Sequence, residues 1–218
     1  MNTVSLADIK SLHIPSSDSH KGQNGRLLIV GGSHLFHSAS LWSLTVASRI
    51  VDLVHYASVS ENNEIVQKAK EKFRNGIVIP RENIEDYINE DDCILIGPGM
   101  TRDSETEEIT KKLLETYPDK KWVIDAGALQ MMELLWIPKG AILTPHHKEF
   151  ELLISKIKDI KLKTQIKNQK IEKQVELFAN KFSCILLLKG EKDIISDGKL
   201  TVGVAGWNSG MTKGGTGD

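Results

Sequence analysis

The sequence predicts an α/β fold built on a mostly parallel sheet, and two observations carry that expectation. Short apolar runs of strand length alternate with longer stretches of helical periodicity, and small or polar residues follow directly on the runs. A parallel strand buried on both faces needs a continuous apolar run, and the helix that returns the chain supplies the cover. With 218 residues, 40% of them hydrophobic, the chain is long enough for one sizeable core, so a single domain over residues 1–218 is expected.

The elements follow in order. Arg26-Leu27-Leu28-Ile29-Val30 reads as a buried strand running into Gly31-Gly32-Ser33, and Ser38 to Val51 as a helix with Leu41, Leu44, Ser48 and Val51 on one face. Val54 to Val59 is a second strand, Glu61 to Phe73 a charged helix, and Gly76 to Pro80 a short third strand. Asp92 to Ile96 leads into Gly97-Pro98-Gly99, Trp122 to Asp125 into Ala126-Gly127-Ala128, and Ala141 to Leu143 into Thr144-Pro145-His146. Ile171 to Phe182 reads as a helix feeding a strand from Cys184 to Leu188. Asp193 to Ser196 and Leu200 to Val204, joined through Asp197-Gly198-Lys199, form a hairpin signal. In an open sheet of this kind ligands gather beyond the carboxyl ends of the strands, where the small and polar residues cluster here.

Charge narrows the partners. Twenty-eight basic and 29 acidic residues leave a net charge of −1, so nothing draws the chain to nucleic acid or to an anionic membrane, and a small molecule is the expected ligand. Seven lysines crowd residues 156–173, but isoleucines and a leucine interleave with them and no aromatic stacks between, so a solvated helix or loop is expected. Residues 1–12 lack the apolar core of a signal peptide, and no run is long enough to span a membrane, which points to a cytoplasmic, soluble protein. Cys93 and Cys184 sit within apolar runs and read as buried thiols.

Four polar constellations stand at strand ends. Gly31-Gly32-Ser33 lacks the spacing of a dinucleotide fingerprint. Gly97-Pro98-Gly99 is either a tight turn or a loop that lets backbone approach a ligand. In Thr144-Pro145-His146-His147-Lys148-Glu149 no third ligand stands at zinc spacing, so Glu149 is either a carboxylate that helps to hold hydrated Mg²⁺ or a favourable charge at a helix start. Lys189, in Leu188-Lys189-Gly190-Glu191-Lys192-Asp193, is suited to binding phosphate or to standing in solvent. The last residues are the most loaded chemically. Gly214-Gly215-Thr216-Gly217-Asp218 places closely spaced backbone N–H groups before a carboxylate, which suits an anion cradle beside a general base, and it is not a Walker loop.

Taken together, the motifs resemble those of the ribokinase-like superfamily and, within it, the NAD(P)H-hydrate dehydratases related to the C-terminal half of the YjeF proteins. The likeness rests on His20-Lys21-Gly22 with Gly25 to Ser33, Gly97-Pro98-Gly99, Asp125 to Leu129, Leu143 to His146 with Glu149, Leu188-Lys189-Gly190 and Gly206 to Asp218. It implies a three-layer α/β/α fold and an ADP- or ATP-dependent lyase that phosphorylates the hydroxyl of hydrated NADH or NADPH and then eliminates the phosphate. Asp218 would be the base, with Ala39, Gly99 and His146 also binding the substrate. Lys189, Gly190, Glu191, Lys192, Asp193, Gly215, Thr216 and Gly217 would border the nucleotide, and Glu149 would help to organise Mg²⁺. A homo-oligomer is implied, and a separate epimerase acting on the same hydrates.

The chain departs from the family pattern in having Ile50-Val51-Asp52-Leu53-Val54 where Gly-Ala-Gly-Leu-Val is usual, and Ser38 where Gly is usual. Family members continue into further helices past the residue matching Asp218, so the C-terminal helices are expected to be missing from these 218 residues and the activity of this form to be weak. The competing expectations are a kinase of a small hydroxylated vitamin precursor or sugar, and a nucleotide-binding protein without catalysis.

Overall fold

Strand-length apolar runs here do not alternate with polar residues, so each strand needs cover on both sides, and the chain folds accordingly. A computed structural model describes residues 2–3 and 6–206. The strands are β1 (Asn2–Thr3), β2 (Arg26–Val30), β3 (Leu53–Ser58), β4 (Ile77–Pro80), β5 (Cys93–Ile96), β6 (Lys121–Ile124), β7 (Ile142–Leu143), β8 (Ile185–Leu188), β9 (Lys192–Ser196) and β10 (Thr201–Ala205). They form one sheet in the order β1-β10-β9-β8-β7-β6-β5-β2-β3-β4. Among these, β9 alone runs against the rest, paired antiparallel to β8 and β10 through the expected hairpin.

The helices are α1 (Leu6–Ile9), α2 (Ser38–Ala47), α3 (Ser60–Phe73), α4 (Ile84–Ile88), α5 (Ser104–Thr116), α6 (Ala126–Met131), α7 (His147–Ser155), α8 (Ile160–Lys167) and α9 (Ile171–Phe182). Alternate strand residues divide the core into two layers. Leu28, Val30, Ile94, Ile96 and Ile124 pack with Leu113, Phe150, Phe178 and other residues of α5, α7 and α9. Ile29, Val54 and Tyr56 pack on the opposite face with Leu44 of α2 and Val66 of α3. That second layer covers the β2–β4 half, whereas Val123, Ile142, Ile185 and Leu187 farther along the sheet are half-buried. Helices on both faces of a mostly parallel sheet are the architecture the sequence predicts.

Both cysteines are free, and burial pushes the Cys184 thiol up to about 12, as expected of a thiol that acts as a small hydrophobe. Differences lie at the ends of elements. The helix expected to reach Val51 stops at Ala47, because Arg49, Ile50 and Val51 turn back on the carbonyls of Val46 and Ala47. The turn delivers Asp52, whose carboxylate accepts from the backbone N–H of Gly22 at 2.8 Å and of Asn24 at 3.1 Å. These bonds, that of Asn24 foremost, hold its carboxyl below the usual carboxylate range. The Asp52 carboxylate therefore ties down the loop that enters β2.

Candidate functional site

Because β2 lies between β3 and β5, the chain leaves β2 toward one edge of the sheet and leaves β5 toward the other. Such a switch point opens a crevice between two loops that diverge beyond the carboxyl ends of their strands. Here the loops are Gly31-Gly32-Ser33 and Gly97-Pro98-Gly99, and the crevice is a cleft of about 770 Å³ walled by Phe36, Ala39, Gly99, Arg102, Gly127 and Gln130 among others. Its size suits a small-molecule ligand.

The loops leave little room for side chains. The Gly32 N–H donates to the Pro98 carbonyl at 2.7 Å, and a Cβ on Gly31 would stand 2.5 Å from the same oxygen. On the far side, Gly127 at the start of α6 lies so close to the loop that its Cβ would come within 2.4 Å of the Met100 carbonyl. Ala126, which also lines the cleft, has φ of 43°, a left-handed conformation costing about 1–2 kcal/mol for a residue with a Cβ. Backbone packed on backbone gives the cleft a rigid floor.

One wall begins at Ser33, whose Oγ accepts from the N–H of Leu35 at 3.3 Å and of Phe36 at 3.0 Å. That turn leaves Leu35 and Phe36 exposed at the cleft, 72% and 55%. Beneath the start of α2, Ser40 and Tyr56 share a 2.7 Å hydrogen bond, Asn62 donates to Tyr56, and His37 Nδ1 lies 2.8 Å from Asn62 Oδ1. Burial raises the Tyr56 phenol, so it stays a neutral hydroxyl in this network. The network fixes the helix turn that carries Ala39 into the wall.

A second cluster borders the first. His146 caps α7, its Nδ1 accepting from the Glu149 N–H at 3.2 Å, while the buried Glu149 carboxylate accepts from the His146 N–H at 2.8 Å. The other Glu149 oxygen accepts from Gln130 Nε2 at 2.7 Å, and Gln130 itself lines the cleft. The loop after β8 joins this cluster: the Lys189 N–H donates to the Pro145 carbonyl at 2.9 Å, and the Gly190 N–H to the Asp193 carboxylate at 2.9 Å. Lys189 is not simply in solvent, since its Nζ pairs with the buried Asp125 carboxylate at 2.9 Å.

The structure therefore brings Ala39 and Gly99 together at the cleft, and His146 and Glu149 together with Lys189 to Asp193 beside it. Gly215, Thr216, Gly217 and Asp218 lie outside the described residues. Among those described, no group of three or more His, Cys, Asp or Glu could hold a metal ion, and no helix is long and apolar enough to cross a membrane. Sequence reasoning passed over Phe36, Arg102 and Gln130. Arg102, three residues beyond Gly99 in the Gly97-Pro98-Gly99 turn, carried a usable signal, whereas Gln130 becomes a wall residue only when α6 packs against α7.

A family model described as NAD(P)H-hydrate dehydratase matches residues 27–218. The chain is 34% identical to an ADP-dependent (S)-NAD(P)H-hydrate dehydratase of Nitrosopumilus maritimus, over 99% of this chain and 77% of that protein. It is 31% identical to a bifunctional NAD(P)H-hydrate repair enzyme of Methanocaldococcus jannaschii, over 99% of this chain, and spans only 41% of that longer protein. Among solved structures, a ribokinase-like superfamily protein of Enterococcus faecalis superposes with a TM-score of 0.83 at 22% identity, covering 99% of this chain and 75% of the other. An ADP/ATP-dependent NAD(P)H-hydrate dehydratase of Bacillus subtilis, co-crystallized with ATP/Mg²⁺, gives 0.79 at 20% identity, with 99% and 76% covered. These two likenesses establish the ribokinase-like fold, and the match over residues 27–218 establishes the family. The chain belongs to the NAD(P)H-hydrate dehydratase family.

Proposed function

We propose that the protein is an ADP-dependent (S)-NAD(P)H-hydrate dehydratase, which repairs hydrated NADH or NADPH by phosphorylating the added hydroxyl and eliminating the phosphate. The observation that carries this reading is the cleft at the β2–β5 switch point, with Ala39 and Gly99 in its walls and the His146 cluster beside it. ADP as donor is supported by the name of the Nitrosopumilus relative.

In this reading the hydrated ring lies against Ala39 and Gly99, and the donor lies along Lys189 to Asp193 with its transferring phosphate in the cradle of Gly215, Thr216 and Gly217. Asp218 takes the proton of the hydrate hydroxyl as its oxygen bonds to phosphorus and the bond from phosphorus to the departing nucleotide breaks. The C–O bond then breaks with loss of phosphate and of a proton from the neighbouring carbon, which restores the ring double bond. Phosphorylation converts a poor leaving group into a good one.

Glu149 fits an indirect hold on Mg²⁺, because each oxygen accepts one protein hydrogen bond and keeps a lone pair for an ion-bound water. Mg²⁺, when bound, would offset charge on the phosphates. Lys189, paired with Asp125, would border the donor from a fixed position.

The test is recovery of NADH absorbance from its hydrate with ADP and Mg²⁺, then with ATP. Absence of recovery with either donor would refute the proposal. A stable phosphoester without NADH would identify a kinase instead.

A further inference from the structure

Two clefts open along the carboxyl edge of the sheet, and their charges differ. The one beyond β3 and β4, about 620 Å³, is rimmed by Glu61, Glu64, Glu82 and Glu105, and its guanidinium, Arg81, already pairs with Glu105. The one at the β2–β5 switch point has no carboxylate among the residues that line it, and it has Arg102. Of the two, only the second can receive an anion without repulsion.

Arg102 is also placed to act. The side chain is exposed and has no hydrogen-bond or ion-pair partner among the described residues. Its neighbours, in contrast, are held. Met100 donates to the Gly97 carbonyl at 2.9 Å and packs on Gly127, while Asp103 caps α5 by accepting from the Thr106 N–H at 2.9 Å. Asp103 makes no hydrogen bond or ion pair with Arg102: its carboxylate takes bonds from Thr101 and Thr106. A fixed backbone thus presents a free, planar, five-donor cation to a cleft that no carboxylate lines among the described residues.

A hydrated nicotinamide dinucleotide carries a diphosphate between its nucleosides, and a guanidinium matches phosphate oxygens in a bidentate fork. We infer that Arg102 is a substrate-positioning residue that binds this diphosphate, an inference that rests on the dehydratase reading of the same cleft. Arg102 then selects the dinucleotide and sets the ring's depth against Ala39 and Gly99 without touching the reacting atoms.

The experiment compares wild type, Arg102→Ala and Arg102→Lys with hydrated NADH at saturating nucleotide. Arg102→Ala should raise KM about tenfold or more with kcat nearly unchanged, and Arg102→Lys should recover part of the loss. The hydrate of reduced nicotinamide riboside, which has no phosphate, should give the same kcat/KM with all three. A second measurement needs no turnover: calorimetry with ADP-ribose while excess AMP fills the donor site, where Arg102→Ala should bind about tenfold more weakly, with a shallower salt dependence. Wild-type inactivity together with this weakened binding would sink the dehydratase reading and keep the diphosphate site. Equal KM or equal ADP-ribose affinity in wild type and Arg102→Ala would overturn the inference.

Discussion

The two ends of the same sheet differ in how far their charged groups are closed off from solvent. Toward the amino ends of the strands, the ring of His55 lies 3.0 Å from both oxygens of Asp91 and 4.8 Å from the Tyr87 ring, and Lys120 donates to the Asn89 and Asp91 carbonyls. Each group there has a partner, and neither His55 nor Asp91 reaches solvent appreciably. At the carboxyl ends, Asp125 is paired with Lys189, but it adjoins a left-handed Ala126 and a cleft whose guanidinium has no partner among the described residues. The closed end shuts its charged pair away from solvent, and the open end sets an exposed charge beside a cleft where a ligand can use it.

Breaking the side-chain pair at each end should separate these roles, with the largest effect at the closed end. His55→Leu leaves the fully buried Asp91 carboxylate without its ring partner, which should cost about 4 kcal/mol in denaturant unfolding while folded molecules keep their kcat. Lys189→Met should cost about 3 kcal/mol, because water reaches the Lys189 side chain, 27% exposed, and can partly replace the ammonium beside Asp125. Unlike the His55 variant, it should also raise KM for the nucleotide. Equal effects on KM from the two variants would erase the distinction between the ends.

The glycines offer a smaller test of the same contrast. Gly97, at φ 119°, stands where a Cβ would meet the Asp125 carbonyl at 1.8 Å, so Gly97→Ala must move backbone and should cost about 3 kcal/mol. Gly140, at φ 79° before β7, has nothing within 4 Å of its would-be Cβ. Gly140→Ala should cost only the left-handed penalty, about 1–2 kcal/mol, and leave KM for the hydrate unchanged. Chemical denaturation of both variants checks the pair.

How much of this was legible in the sequence depended on whether a feature was local. The runs Arg26–Val30 and Cys93–Ile96 declared themselves as buried strands, and Asp197-Gly198-Lys199 marked the hairpin, because run length and turn chemistry are written in consecutive residues. Family motifs marked Ala39, Gly99 and His146, and the structure places the first two in one cleft. What could not be read were the pairings of distant residues: Lys189 with Asp125, Gln130 with Glu149, His55 with Asp91. Each partner alone is an ordinary polar residue, and only the strand order brings them within reach. Arg102 stood in view after Gly97-Pro98-Gly99, but its lack of a partner among the described residues is a property of the fold.

The smallest predicted effect sits beside that arginine and probes whether its backbone support is separable from its charge. Asp103 caps α5, and its bonds to Thr101 and then Thr106 hold its carboxyl below the ordinary range. A carboxyl whose folded value is depressed stabilises the fold above its unfolded value, about 3.9, and loses that contribution as pH falls through the lower folded value. Asp103→Ala should therefore cost about 1 kcal/mol at pH 7, with solvent screening keeping it small, and the gap from wild type should close as the pH falls below about 4. Since the cap fixes the residue that follows Arg102, the substitution should also loosen the guanidinium's anchor and raise KM for hydrated NADH about twofold to threefold, well short of the loss in Arg102→Ala. A KM as high as that of Arg102→Ala would mean that the cap and the charge act as one unit, and an unchanged KM that the glycine-packed loop holds Arg102 without the helix.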